Sequence, residues 1–292
     1  GIGCMADTER PRKIIAGRYE VLRPLGRGGM GKVFLVRDRT TGQRLALKML
    51  RSQWQSRKAV VARFVREIET ARKLDHPCIV KIHDACYDDD LLFYTMEYIE
   101  GKSLRHWMRQ RTRLEFGSVV RVLCLVAHAL EHAHRVTIHR DLSPENIMVL
   151  ADGSVRLLDF GLAKVDDPNQ GLTMVGSSLG KMQYIAPEQR KNAAQVDPRT
   201  DLYPLGVMFF EMLSGQLPNG RDRLTTLCPE LPPETDAFVE RAIAADPEAR
   251  FQSAREFRHA LLALYDASKR PCAAPPPPGL LARLRAWWRG RQ

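Results

Sequence analysis

From Tyr19 to Leu50 short apolar runs alternate with polar positions. They are interrupted by a glycine cluster (Gly26, Gly28, Gly31) and by the turn-like Thr40-Thr41-Gly42-Gln43. Period-two alternation broken in this way predicts a strand, a glycine-rich turn, a strand, a hairpin and a third strand. Between Arg57 and Leu74 the period changes. Val61, Phe64, Val65 and Ile68 recur at helical spacing, and His76-Pro77 closes the segment. Further strands are predicted in 78–88 and 91–99, with acidic turn residues between them. Beyond Gly101 the long apolar periods of 114–136, 201–215 and 235–247 are helical. No internal repeat is found. The pattern predicts an α+β chain: a mostly antiparallel sheet with one helix, then a mainly helical part.

Composition narrows this little. A chain of 292 residues can bury a large core as one domain or two lobes, and 44% hydrophobic with 27% charged residues is ordinary for a globular protein. There is no uninterrupted run of eighteen apolar residues, which argues against a bilayer-spanning segment, and the N-terminus lacks an export pattern. Cys4, Cys78, Cys86, Cys124, Cys228 and Cys272 show neither CxxC spacing nor a zinc-site histidine, so reduced thiols in a cytoplasmic protein are expected. The net charge of +11 is spread along the chain without an aromatic-interleaved stripe, and nucleic acid is not an expected partner.

The chemistry is concentrated in a few stretches. Gly26, Gly28 and Gly31 have the spacing G-x-G-x-x-G; a strand follows them, so the glycines join two strands. Such a loop can lie close over phosphates and offer backbone N–H groups. Lys48 sits on the next strand, where an ammonium can grip a phosphate. The segment His139-Arg140-Asp141-Leu142-Ser143-Pro144-Glu145-Asn146 crowds polar chemistry against the apolar Ile147–Leu150. Ser143 as a nucleophile would need a histidine base and an oxyanion hole, and no G-x-S-x-G elbow is present. Asp159-Phe160-Gly161, Ala186-Pro187-Glu188 and the late Arg250 complete the series.

Taken in this order, these motifs resemble the protein kinase family, particularly the bacterial kinases of eukaryotic Ser/Thr type, over about Tyr19 to Leu264. The resemblance implies a two-lobed kinase fold with ATP and Mg²⁺ (Mn²⁺ as the alternative cation) between the lobes. It implies that Gly26, Gly28 and Gly31 cover the phosphates and that Lys48 contacts them while paired with Glu67. Glu67 is preferred to Glu69 by its distance from His76. Val33 and Ala46 would line the adenine pocket, with Met96 at its back and Glu97 opening the hinge. Asp141 would orient the substrate hydroxyl and accept its proton, and Asn146 and Asp159 would hold the cation. His139 and Asp201 are implied as anchors of the loop, and Glu188 with Arg250 as a structural ion pair.

Three departures from the family pattern stand out. Ser143 replaces a lysine that touches the transferred phosphate, and Lys181 replaces a threonine. The two are read together as one relocated positive charge, with Lys181 catalytic. The stretch between Pro218 and Pro232 is short, so a substrate-docking helix is expected to be reduced.

The expected organisation is an N-terminal extension (1–17), a kinase domain (18–266, lobes meeting near 100), a proline-rich linker (267–279) and a basic tail (280–292). In the tail Leu280, Leu281, Leu284, Trp287 and Trp288 share a helical face, with arginines off it. This is read as a docking peptide or a peripheral anchor at the inner membrane face. The expected activity is transfer of the γ-phosphoryl of ATP to Ser/Thr hydroxyls of proteins, with Thr173, Ser177 and Ser178 as candidates for control of the activation loop. A nucleotide-binding pseudokinase scaffold is the alternative.

Overall fold

The structure is a computed structural model that describes residues 13–27, 31–50, 58–88, 91–160, 179–192 and 196–269. Gly28, Gly161, Thr173, Ser177, Ser178 and the tail 280–292 lie outside the described residues.

Six strands form one antiparallel sheet in the order β1-β2-β3-β4-β6-β5. They are β1 (Ile14–Ile15), β2 (Tyr19–Arg27), β3 (Gly31–Asp38), β4 (Arg44–Leu50), β5 (Ile82–Asp88) and β6 (Leu91–Glu97). β1, a two-residue edge strand, is an addition to the pattern read from the sequence. Alternation along β4 sorts its side chains between two cores. Leu45 and Leu47 join Ile15, Tyr19, Val36 and Phe93 in a small cluster, whereas Ala46 and Leu50 enter the main one. Helix α1 (Lys58–Ala71) supplies Phe64, Ile68 and Ala71 to that main core. It ends before Leu74 because the last turn tightens, with Lys73 N–H bonded to Thr70 O and Leu74 N–H to Ala71 O.

A second, three-stranded sheet follows, β7 (Gly101–Ser103), β8 (Ile147–Leu150) and β9 (Val155–Leu157). The helices are α2 (Leu104–Gln110), α3 (Phe116–Ala133), α4 (Pro187–Lys191), α5 (Leu202–Ser214), α6 (Leu224–Leu227), α7 (Glu234–Ala242) and α8 (Ala254–Ser268). By length and composition α3 could cross a membrane, yet here it is a core helix: Val119, Leu123, Val126 and Leu130 are fully buried. α5 is buried almost all round and stops at Gly215, whose φ of 79° is left-handed. A Cβ there would also come within 2.3 Å of Thr112 O, so only glycine serves. α6, in the short stretch before Pro232, is a single turn of four residues.

The two parts are stitched by backbone. Leu157 N–H bonds Cys78 O (2.8 Å) and Val80 N–H bonds Leu157 O (3.0 Å), an isolated parallel bridge between β9 and the segment before β5. The stitch carries the turn after β9, with Asp159, up against β4 and β6.

Candidate active site

Asp201 organises the loop before β8. Its carboxylate accepts the backbone N–H groups of His139 and Arg140, both at 2.8 Å, and contacts His134 Nε2 at 2.9 Å. Burial alone would raise its carboxyl, but His134 and these bonds hold it below the ordinary carboxylate value. Arg140, with φ of 64°, sits in the left-handed region, which costs a non-glycine residue about 1–3 kcal/mol. Its two backbone ends are pinned to offset this, the N–H on Asp201 and the carbonyl by Gln189 Nε2 at 2.8 Å. His139 is wholly buried: Nε2 lies 2.8 Å from Leu158 O, Nδ1 accepts Asp141 N–H, and the ring packs on Phe160. Both residues thus hold the loop, as the family resemblance implies.

This scaffold presents a polar trio. Asn146 Nδ2 donates to Asp141 O (2.7 Å) and Asp141 Oδ2 (3.1 Å), and Lys181 Nζ reaches the same Oδ2 at 3.2 Å. Asp141 keeps about a quarter of its side chain accessible, 23%, so it is held but not closed off. Ser143 is 2% exposed and its Oγ, buried, has no hydrogen-bond partner. A small pocket beside the loop is bounded by Ser143, Lys181, Asp141 and Arg140. The two departures thus lie side by side.

Across the cleft, strand register puts Val33 opposite Lys48, Lys48 opposite Tyr94, and Ala46 opposite Met96. These five side chains share one face of the sheet. Gly31 is demanded by the fold, since a Cβ would come within 2.1 Å of Met49 O. Among the described residues, a Cβ on Gly26 would meet nothing within 4 Å. Lys48 differs from expectation. Its Nζ pairs with Asp159 Oδ1 at 2.8 Å, where the sequence pointed to Glu67; Glu67, half-buried on α1, is itself engaged. The reason is electrostatic: a carboxylate withdrawn from water needs a cation, and among the described residues Lys48 is the one that pairs with Asp159. Burial pushes the Asp159 carboxyl up, but Lys48 and the Tyr94 hydroxyl hold it below its usual range. Glu97 closes β6 with its carboxylate 3.7 Å from Arg156.

Arg250 and Glu188 form the expected pair, two bonds of 2.7 Å between guanidinium and carboxylate. Sequence reasoning missed two residues. Arg105 on α2 bonds Glu145 of the loop, Glu211 of α5 and Tyr184 before α4, tying three segments together. Tyr94 donates its hydroxyl to Asp159 Oδ1 at 2.9 Å. Alternation on β6 could have put Tyr94 on the face of Met96; its partner lies 65 residues away and leaves no local signal.

A sheet lobe and a helical lobe, joined at a cleft with a lysine, an acidic base candidate and two oxygen donors for a cation, define the class of phosphoryl-transfer enzymes. The protein kinase domain family matches residues 19–273, and the chain belongs to it. It is 35% identical, over 88% of its length, to a probable serine/threonine-protein kinase of Streptomyces coelicolor, and 30% identical, over 88%, to the serine/threonine-protein kinase PrkC of Bacillus subtilis. To the serine/threonine-protein kinase pkn3 of Myxococcus xanthus it is 36% identical over 90%. The matches span 41%, 42% and 53% of those relatives, so the chain corresponds to about half of each or less. The crystal structure of the Mycobacterium tuberculosis PknI kinase domain superposes with a TM-score of 0.70 at 32% identity, covering 86% of this chain and 97% of that one. The fold is the protein kinase fold.

Proposed function

We propose that the chain transfers the γ-phosphoryl group of ATP to serine or threonine hydroxyls of proteins, using Mg²⁺, with Asp141 as base and Lys181 as the cation beside it. The observation that carries this reading is the Asp141 carboxylate, fixed by Asn146 on one side and Lys181 on the other while still accessible. Asp141 Oδ1 is free, among the described residues, of the hydrogen bonds that engage Oδ2, and suits a hydroxyl donor. The donor set fits a hard cation. Asn146 spends its N–H groups on Asp141, which leaves Oδ1 as an oxygen ligand, and Asp159 contributes a carboxylate. Bound there, Mg²⁺ supplies neutralisation of charge on the phosphates. Lys48, paired with Asp159, places its ammonium where phosphate oxygens beside the cation would also meet it.

Chelating divalent cations should abolish phosphate transfer, and Mg²⁺ should restore it. Asp141→Asn should lower turnover by about a hundredfold to ten-thousandfold with nucleotide affinity nearly unchanged. A pseudokinase scaffold would bind ATP and transfer nothing, with no response to Asp141→Asn.

The tail reading is a separate proposal, supported by its apolar face and flanking arginines. The full chain should sediment with anionic liposomes at low salt and be released by high salt. No sedimentation at low salt removes the membrane version and leaves a protein partner for residues 280–292.

A further inference from the structure

Tyr94 stands in the middle of β6, 1% exposed, with its ring 6.0 Å from that of Phe64 on α1. Nothing in the reaction so far gives it a task. Withdrawing a phenol from water is unfavourable unless the hydroxyl is matched. Here the match is Asp159 Oδ1 at 2.9 Å, and Lys48 Nζ reaches the same oxygen at 2.8 Å. An ionised carboxylate offers about four lone-pair sites, two per oxygen. Tyr94 and Lys48 together occupy those of Oδ1. Among the described residues no hydrogen bond or ion pair engages Oδ2, which is the oxygen left for a ligand.

The backbone adds a second reason for such a hold. Asp159 has φ of 57°, in the left-handed region that aspartate tolerates better than most residues but still at some cost relative to glycine. A carboxylate delivered on a strained turn keeps its direction only if its tip is fixed. Lys48 is a flexible stem with a single charged end, whereas Tyr94 is a rigid ring wedged between β6 and α1. The rigid donor is the one that sets direction.

We infer that Tyr94 is a positioning residue for the cation site: by holding Oδ1 with Lys48 it presents Oδ2 of Asp159 to the divalent cation. This rests on the reading of Asp159 as a cation ligand. Hydrogen bonds to a ligating carboxylate commonly alter metal affinity by about ten- to a hundredfold. They act on affinity for the cation and not on the nucleotide alone.

The test is Tyr94→Phe in the full chain, which fills the same volume and keeps the contact with Phe64. Mn²⁺ affinity is titrated calorimetrically in the presence of a saturating non-hydrolysable ATP analogue, and affinity for the analogue is measured separately without metal. Circular dichroism fixes a temperature at which both proteins are fully folded. The expected result is Mn²⁺ binding weakened about tenfold with metal-free analogue affinity unchanged. Equal or tighter Mn²⁺ binding overturns the inference, as does an equal loss of analogue affinity, which would make Tyr94 a packing residue only. Asp159→Asn is the reference. If it weakens Mn²⁺ binding while Tyr94→Phe does not, the inference fails and the cation reading stands. If Asp159→Asn leaves Mn²⁺ binding unchanged, both fail.

Discussion

Replacing Lys181 with threonine is expected to lower turnover by about a hundredfold or more, and adding Ser143→Lys to restore much of the loss. Phosphoryl transfer asks little covalent chemistry of the protein, so a positive charge near the migrating group carries a large share of the rate. The family places that charge on the loop residue that is Ser143 here. In this chain the ammonium 3.2 Å from Asp141 Oδ2 belongs to Lys181. Packing supports an exchange of places. Ser143 Oγ is buried without a partner, in the pocket that Lys181 also lines. A lysine at 143 would extend into the small pocket that Lys181 also lines, so Ser143→Lys alone should crowd it. With Lys181 cut to threonine that crowding is relieved. The two substitutions should therefore be strongly non-additive, each harmful alone and tolerable together. Turnover is the quantity to follow, since nucleotide affinity should move little. Unchanged turnover in Lys181→Thr would sink the relocated charge.

The largest expected effect on stability is at Arg250, where Arg250→Met should cost about 3–5 kcal/mol. Arg250 is 1% exposed, and its guanidinium serves Glu188 at both oxygens as well as Ala244 O at 2.6 Å and Ala245 O at 3.1 Å. Methionine fills much of the space but leaves Glu188 without its cation, bonded still to Thr200 Oγ1. Burial raises the Glu188 carboxyl, and Arg250 more than offsets this, leaving it below its ordinary value. A depressed folded-state value means the pair stabilises above the unfolded carboxylate range and fades as pH falls through the folded value. In Arg250→Met that acid-side loss should largely vanish, because the pair is already gone. For a domain of this size the melting temperature should drop by on the order of 10 °C. Combining Arg250→Met with Glu188→Gln should recover part of the loss. Chemical denaturation at pH 7 and at acid pH checks both points, and a loss under about 1 kcal/mol at neutral pH would contradict the assignment.

What could be read from the chain and what could not follow from how local each signal is. Gly26, Lys48, Asp141, Asn146 and Asp159 lie in short motifs whose spacing survives on the page, and the structure gathers those it describes around one cleft. The role of Asp201 was legible only through the family resemblance, because the N–H groups that it accepts lie 62 and 61 residues earlier in the chain. The partner of Lys48 was not legible. Glu67 and Asp159 are both acids in the motif series, and the contact of Asp159 with Lys48 and Tyr94 is made by folding across 111 and 65 residues. Tyr94 and Arg105 were invisible for the same reason: their bonds span 65 residues in one case and 40, 79 and 106 in the other. Helix ends such as that of α1 were blurred because tightening of the last turn leaves no mark in the apolar period.

The central claim, transfer of phosphate from ATP to protein hydroxyls, is most directly tested by incubating the full chain with γ-labelled ATP, Mg²⁺ and a hydroxyl-rich protein substrate, followed by phosphoamino-acid analysis. The account predicts label on phosphoserine or phosphothreonine that disappears in Asp141→Asn. Nucleotide binding without any labelled amino acid, or label that persists in Asp141→Asn, would contradict it.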